Sequence, residues 1–124
     1  MSERCSFINI NGKNVYFMDF SNLNSRDEIF KYIAEAKQVI RSQAPSSVYA
    51  LTNIEKMHYD SEIKEAFTEF TKGNKPYIKY SAVVGIDTLQ RILFNAIMKL
   101  SGRDIRVFAN LDEAKFWLID KTLS

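Results

Sequence analysis

Apolar residues come in short runs that polar residues, glycine and proline interrupt at regular intervals. Phe7 to Ile10 and Val15 to Phe20 flank Asn11-Gly12. Both central residues of the tightest hairpin turn need positive φ, which Asn-Gly tolerates, so these runs predict an antiparallel pair of strands. The period then lengthens from two to nearly four. Ile29, Ile33, Ala36 and Ile40 share one helical face behind Ser25-Arg26-Asp27-Glu28, a capping-box sequence that predicts a helix to about Arg41. Pro45 resets the chain, and Val48, Ala50, Leu51 and Ile54 predict a short strand with Tyr49 partly covered. Asp60 or Ser61 then caps a second helix with Ile63, Phe67 and Phe70 on its inner face. Lys64, Glu65, Glu69 and Lys72 fall on its outer side, and Gly73 is expected to stop it.

Pro76 leads into Tyr77 to Gly85, where Ala82-Val83-Val84 is apolar toward both faces, as in a central strand covered on both sides. Gly85 allows a sharp turn into a third helix, Asp87 to Leu100, which Gly102 ends. Ile105, Val107 and Phe108 form a last strand, and Asn110 with Glu113 opens a last helix carrying Leu111, Ala114 and Leu118. The order is ββαβαβαβα. Strands alternating with helices imply right-handed crossovers and a mostly parallel sheet. The fold class is therefore α/β, a single mixed five-stranded sheet with about four helices and an antiparallel hairpin at one edge. No linker, repeat or low-complexity run divides the chain, so residues 1–124 read as one domain. Every glycine and proline is expected at an element boundary.

Composition narrows the chemistry. The chain has 124 residues, long enough to close one core without staples. It has one cysteine, Cys5, so no disulfide can form within it, and with the single histidine, His58, it falls short of the usual zinc ligand set. No metal or cofactor is expected. One unpaired cysteine fits a reducing cytoplasm, and Cys5, ahead of the first predicted strand, is expected to be an inert thiol. Nothing approaches the roughly 20 apolar residues of a transmembrane helix, and the polar start predicts no signal peptide. A net charge of +2, spread evenly, gives no polybasic patch for nucleic acid.

In open α/β sheets, ligands bind outside the carboxyl ends of the strands. The residues expected there are Asp19, Asn53, His58, Tyr59, Gly85, Asp87 and Thr88, a rim for a ligand or partner that is also where ordinary turns and caps lie. No catalytic constellation accompanies them. His58 has no serine or cysteine nucleophile in a recognisable motif. Asp19 has no second carboxylate beside it of the kind that holds magnesium at strand ends. Gly85-Ile86-Asp87 lacks both glycine-rich phosphate signatures. In the third helix, Leu89, Leu93, Ala96, Ile97 and Leu100 form the expected core stripe, while Phe94 and Met98 lie one turn apart on another face. That pair is either a contact surface, including one for a homodimer, or covered by a neighbouring element.

Three stretches carry a family resemblance over nearly the whole chain: Asn11-Gly12-Lys13 with Val15 to Phe20; Ala82-Val83-Val84-Gly85 with Leu89 to Gly102; and Phe108 with Glu113-Ala114 and Trp117-Leu118. In these the chain resembles the STAS-like group, bacterial proteins related to anti-sigma-factor antagonists, particularly the branch grouped with the CRAL-TRIO lipid-carrier fold. The resemblance implies a small sheet backed by helices that works by protein contact rather than catalysis. Anti-sigma antagonists switch partners by phosphorylation of a serine within Asp-x-Ser-Gly at the start of the second helix. Here Asn53 stands near the place of the aspartate, no glycine follows, and the loop runs on to Asp60-Ser61. Ser61 is the remaining candidate for modification, and helix capping is its simpler role. The expected function is thus a non-enzymatic, cytoplasmic regulatory or protein-interaction domain. The alternative, from the sixteen aromatics and the lipid-carrier link, is a carrier or sensor of a small apolar ligand, which would need a hollow beneath the first and third helices.

Overall fold

In a computed structural model of the chain, residues 4–103 and 105–123 are described, apart from the side chains of Thr88, Leu89 and Leu93. Strands β1 (Cys5–Ile10) and β2 (Lys13–Asp19) pair antiparallel across the turn at Asn11 and Gly12, whose φ angles are 53° and 86°. The remaining strands, β3 (Val48–Asn53), β4 (Ile78–Val84) and β5 (Arg106–Phe108), are parallel to β2 and give the sheet order β1-β2-β3-β4-β5. The fold is therefore α/β with one mixed, mostly parallel five-stranded sheet and four helices. Cys5 belongs to β1 rather than preceding it, and its side chain is buried.

Helices α1 (Arg26–Ile40), α2 (Ser61–Asn74) and α3 (Thr88–Ser101) connect neighbouring parallel strands, each step advancing in the same direction. Right-handed crossovers of that kind place all three on one face of the sheet. There, Ile29, Ile33 and Ile40 of α1, Ile63 and Phe67 of α2, and Phe94 and Ile97 of α3 pack with Tyr16, Met18, Ala50 and Val83. Helix α4 (Leu111–Thr122) covers the other face, where Ala114 and Leu118 meet Tyr49, Leu51, Ala82 and Val84. The alternation along each strand thus sorts its residues between two cores. Tyr49, expected to be partly covered, is buried on the α4 side beside the Tyr80 ring, 5.6 Å away, with the Lys13 ammonium 4.6 Å from its own ring centre.

Local capping fixes the helix starts. The Ser25 hydroxyl, Asp60 carboxylate and Asn110 amide oxygen accept from the amides of Glu28, Ile63 and Glu113, at 3.3, 2.9 and 2.9 Å. Asp87 and Gln90 form a reciprocal capping box at α3, with bonds of 2.7 and 3.1 Å. Of the two candidates at α2, Asp60 is the cap and Ser61 the first helical residue.

Two expectations need correction. Gly73 lies within the last turn of α2 and does not stop it. The Arg41 guanidinium occupies the space that a Cβ would fill there, so a larger residue would have to displace that flexible side chain. On α3 the buried residues are Gln90, Phe94, Ile97 and Ser101, whereas Leu100 is 60% exposed and Ala96 half-buried. The helix is therefore rotated relative to the expected stripe of Leu89, Leu93, Ala96, Ile97 and Leu100, although the side chains of Leu89 and Leu93 lie outside those described. Phe94 and Met98 accordingly belong to the core side: Phe94 is buried and Met98 packs against the same cluster. Between contact surface and burial, Phe94 takes burial.

A candidate ligand site under the second and third helices

Two concavities flank β4. The first is an apolar hollow of about 60 Å³ between the sheet and helices α2 and α3. Its floor carries small or short side chains, Ala50, Thr52 and Ser81, between the larger Met18 and Val83. Its walls are Phe67 and Phe70 of α2 and Phe94 and Ile97 of α3. Aromatic rings held above small floor residues leave space that neither side fills, which is why a void persists in an otherwise close-packed core. The rings are locked by their neighbours, Phe67 lying edge-on to Phe20 at 5.3 Å and to Phe70 at 6.2 Å.

Both ends of the hollow are polar. At the carboxyl end of the strands, the loop after β3 brings in Met57 and Tyr59. The Tyr59 hydroxyl is buried without a hydrogen-bond partner, and burial pushes the phenol up to about 12. At the amino end, Arg103, in the connection from α3 to β5, donates from Nη1 to the Thr71 carbonyl at 2.9 Å. That carbonyl belongs to the last turn of α2, an end that favours a cation. Among the described residues no carboxylate pairs with Arg103. Partial burial lowers its guanidinium to about 10, so that it remains charged at neutral pH, and the side chain is half-exposed.

The second concavity is an open cleft of about 550 Å³ at the carboxyl ends of β3 and β4. It opens where α3 and α4 leave the sheet toward opposite faces, the position at which open α/β sheets commonly bind ligands. Asn53, Gly85 and Asp87, three of the expected rim residues, border it together with Glu55, Asn110 and Asp112. The polar side-chain atoms of Asn53, Asp87 and Asn110 serve local folding. Asn53 accepts from the Glu55 amide at 3.0 Å, while Asp87 and Asn110 cap helices. Gly85 has a φ of 89°, and the backbone of Glu55 occupies the place of its Cβ, so this glycine lets the two loops touch.

The other rim residues are elsewhere. The Asp19 carboxylate accepts from the amide and the hydroxyl of Ser21, at 3.0 and 2.6 Å. His58 lies 3.0 Å from Asp60 through Nε2, beside the Arg26 guanidinium that pairs with the same carboxylate at 2.8 Å. The Ile63 amide, followed by His58 and Arg26, pulls the Asp60 carboxyl down to about 2. His58 thus joins the cap cluster of α2, and no hydrogen bond links it to Asp19. Thr88 begins α3, with its side chain outside those described. Ser61 is exposed at the first turn of α2. The buried Cys5 thiol is pushed up to about 12, chiefly by burial, and is therefore protonated at neutral pH.

Among the described residues, Tyr59 is the only expected rim residue at the hollow. Arg103 was not a sequence candidate: a single arginine after a helix-ending glycine carries no local signal, and its burial depends on α2 arriving beside it. The hollow also sits beneath the second and third helices rather than the first and third. Among the described residues, no group of three or more histidine, cysteine, aspartate or glutamate side chains could hold a metal, and no helix is long and apolar enough to cross a membrane. Comparison with family models, with curated proteins and with solved structures found no match to this chain.

Proposed function

We propose that this chain is a non-enzymatic, STAS-like regulatory domain of the cytoplasm that binds a small apolar ligand in the hollow beneath α2 and α3. The observation that carries the reading is the hollow itself, with its aliphatic and aromatic walls and few convergent polar groups, the usual character of small-molecule sites. The resemblance to the branch grouped with lipid carriers supports it independently. At about 60 Å³ the hollow has room for only a few heavy atoms, so the direct test is titration with 1-propanol, followed through the methyl resonances of Met18, Met57 and Ile97. Saturable shifts concentrated on these three are expected. Shifts that stay linear, or that spread evenly over the surface, would sink the reading.

A second reading, action through contact with a second copy of the chain, is favoured by the outer face of α3. Ile92 and Leu100, two turns apart, are 69% and 60% exposed. Apolar side chains presented together along one helix suit burial against a like helix. The pair Ile92→Asp and Leu100→Asp should then shift the protein from dimer to monomer in sedimentation. A monomer before and after substitution would eliminate this version.

A further inference from the structure

Five strands about 4.8 Å apart span about 19 Å, the width of two helices packed side by side about 10 Å apart. Three helices cover one face of the sheet. On the other face α4 lies over β3, β4 and β5, and the β1–β2 half stays open, with Ile8, Ile10 and Phe17 half-buried on it. The result is a shallow apolar groove, one helix wide, alongside α4.

Helix α4 is apolar on more than its inner side. Ala114 and Leu118 face the sheet, and Trp117 leans on Tyr80 and Phe108 toward the β5 edge. At about 100° per residue, Ile119 lies on the opposite flank, toward β2, and Phe116 and Leu123 lie on the outward side. These last two are 72% and 75% exposed. A helix apolar on opposite sides ordinarily lies buried between two layers. One chain thus carries a groove that lacks a helix and a helix that lacks a second layer.

We infer that two copies of this chain pair through this face, their α4 helices parallel and side by side between two facing sheets. The two-fold axis runs along the helices. Helices about 10 Å apart are two strand spacings apart, so each α4 covers β4 of its own sheet and β2 of the other. Phe116 and Leu123 then reach Ile8 and Phe17 of the second copy, and the contact closes at two copies. Charge favours a second copy as the occupant. Lys121 lies over the Tyr80 ring and Lys13 over the Tyr49 ring, and Tyr49 and Tyr80 are partners in register. Asp120, beside Lys121, therefore stands at the height of Lys13, and an axis running along the strands preserves height. Pairing brings Asp120 to Lys13 of the second copy, twice per dimer. Among the described residues neither has an ion-pair partner in its own chain. The hollow and the outer side of α3 lie across the sheet, so pairing here leaves both untouched.

Sedimentation equilibrium of the full chain tests the pairing, with a dimer expected for the native sequence. Phe116→Asp, at a residue exposed in the single chain, should weaken association about thirtyfold or more without changing the circular dichroism. Lys13→Glu and Asp120→Lys should each weaken it about tenfold, and the two together should restore it. A native chain that stays monomeric at millimolar concentration would overturn the pairing. So would a dimer that survives Phe116→Asp but is lost when Ile92 and Leu100 are both replaced by Asp, because the contact would then belong to α3. Single reversals without recovery in the double variant would separate Asp120 from Lys13 and overturn the parallel arrangement. The charge exchange decides the matter even if Phe116→Asp fails to fold.

Discussion

The hollow and the strand-end cleft share β4 as a wall, but their polar groups have opposite fates. In the cleft, Asn53, Asp87 and Asn110 each bond an amide two or three residues away, while the Glu55 and Asp112 carboxylates at its border are exposed. In the hollow, the Tyr59 hydroxyl is buried and unpartnered. The larger concavity thus has three of its polar side chains committed to local folding and two carboxylates open to solvent, and the smaller one holds a buried hydroxyl with no bond. Position in an α/β fold directs attention to the first, whereas satisfaction of polar atoms directs it to the second.

Truncation should separate the two regions most strongly. Phe67→Ala enlarges the hollow and removes ring contacts with Phe20 and Phe70, at an expected loss of about 3–5 kcal/mol. Leu111→Ala, at the half-buried border of the cleft, should lose less than about 1 kcal/mol. Urea unfolding of the two variants makes the comparison, and similar midpoints would erase the distinction. Next in size is the contact beneath the cleft. Gly85→Ala forces a side chain into a positive φ and against the Glu55 backbone, which should cost about 2 kcal/mol or more. Gly12→Ala has nearly the same φ with open space around it, and about 1 kcal/mol is expected. Equal losses would show that the close approach at Gly85 has no energetic role.

Arg103→Met should have a smaller effect. It removes the bond from a half-exposed guanidinium to the Thr71 carbonyl, and a loss of about 1 kcal/mol is expected by urea unfolding. An unchanged midpoint would show that this bond does not hold the end of α2. The smallest effect lies at the cap cluster. The folded-state pKa of Asp60 is lowered from 3.8 to about 2, so its contribution is fully present above the unfolded value and is lost as pH falls from about 4 toward 2. Asp60→Asn should therefore flatten that part of the stability–pH curve, read from urea midpoints at each pH. An unchanged slope would remove the carboxylate from the acid transition.

What the sequence made legible was governed by locality. Asn11-Gly12, Asp60, Asp87 and Asn110 act on residues within three positions, so the turn and the helix starts could be placed from neighbouring letters alone. The inward face of α3 could not. Counting apolar residues favoured Leu100, yet Gln90 and Ser101 are buried because the capping box and a 3.3 Å bond to the Met98 carbonyl satisfy them within their own helix. A polar side chain paired in this way can occupy a core position that hydropathy assigns elsewhere. The hollow was still less visible. It depends on Ala50 and Ser81 of two strands lying opposite Phe67 and Phe94 of two helices, a coincidence of size across four elements.

The order in which the strands lie has a consequence for how the chain acquires its structure. Because β1 to β5 are neighbours in the sheet in the order of their synthesis, every strand after β1 finds a pairing partner already made. Loop closure then spans only one hairpin or one helix at a time, with no crossover that skips a strand. Growth from the ribosome can proceed as successive additions to one advancing edge. Helix α4, the last element, closes the opposite face only after β5 has docked, so a chain shortened before Leu111 would present Tyr49, Leu51, Ala82 and Val84 to chaperones as an unfinished surface.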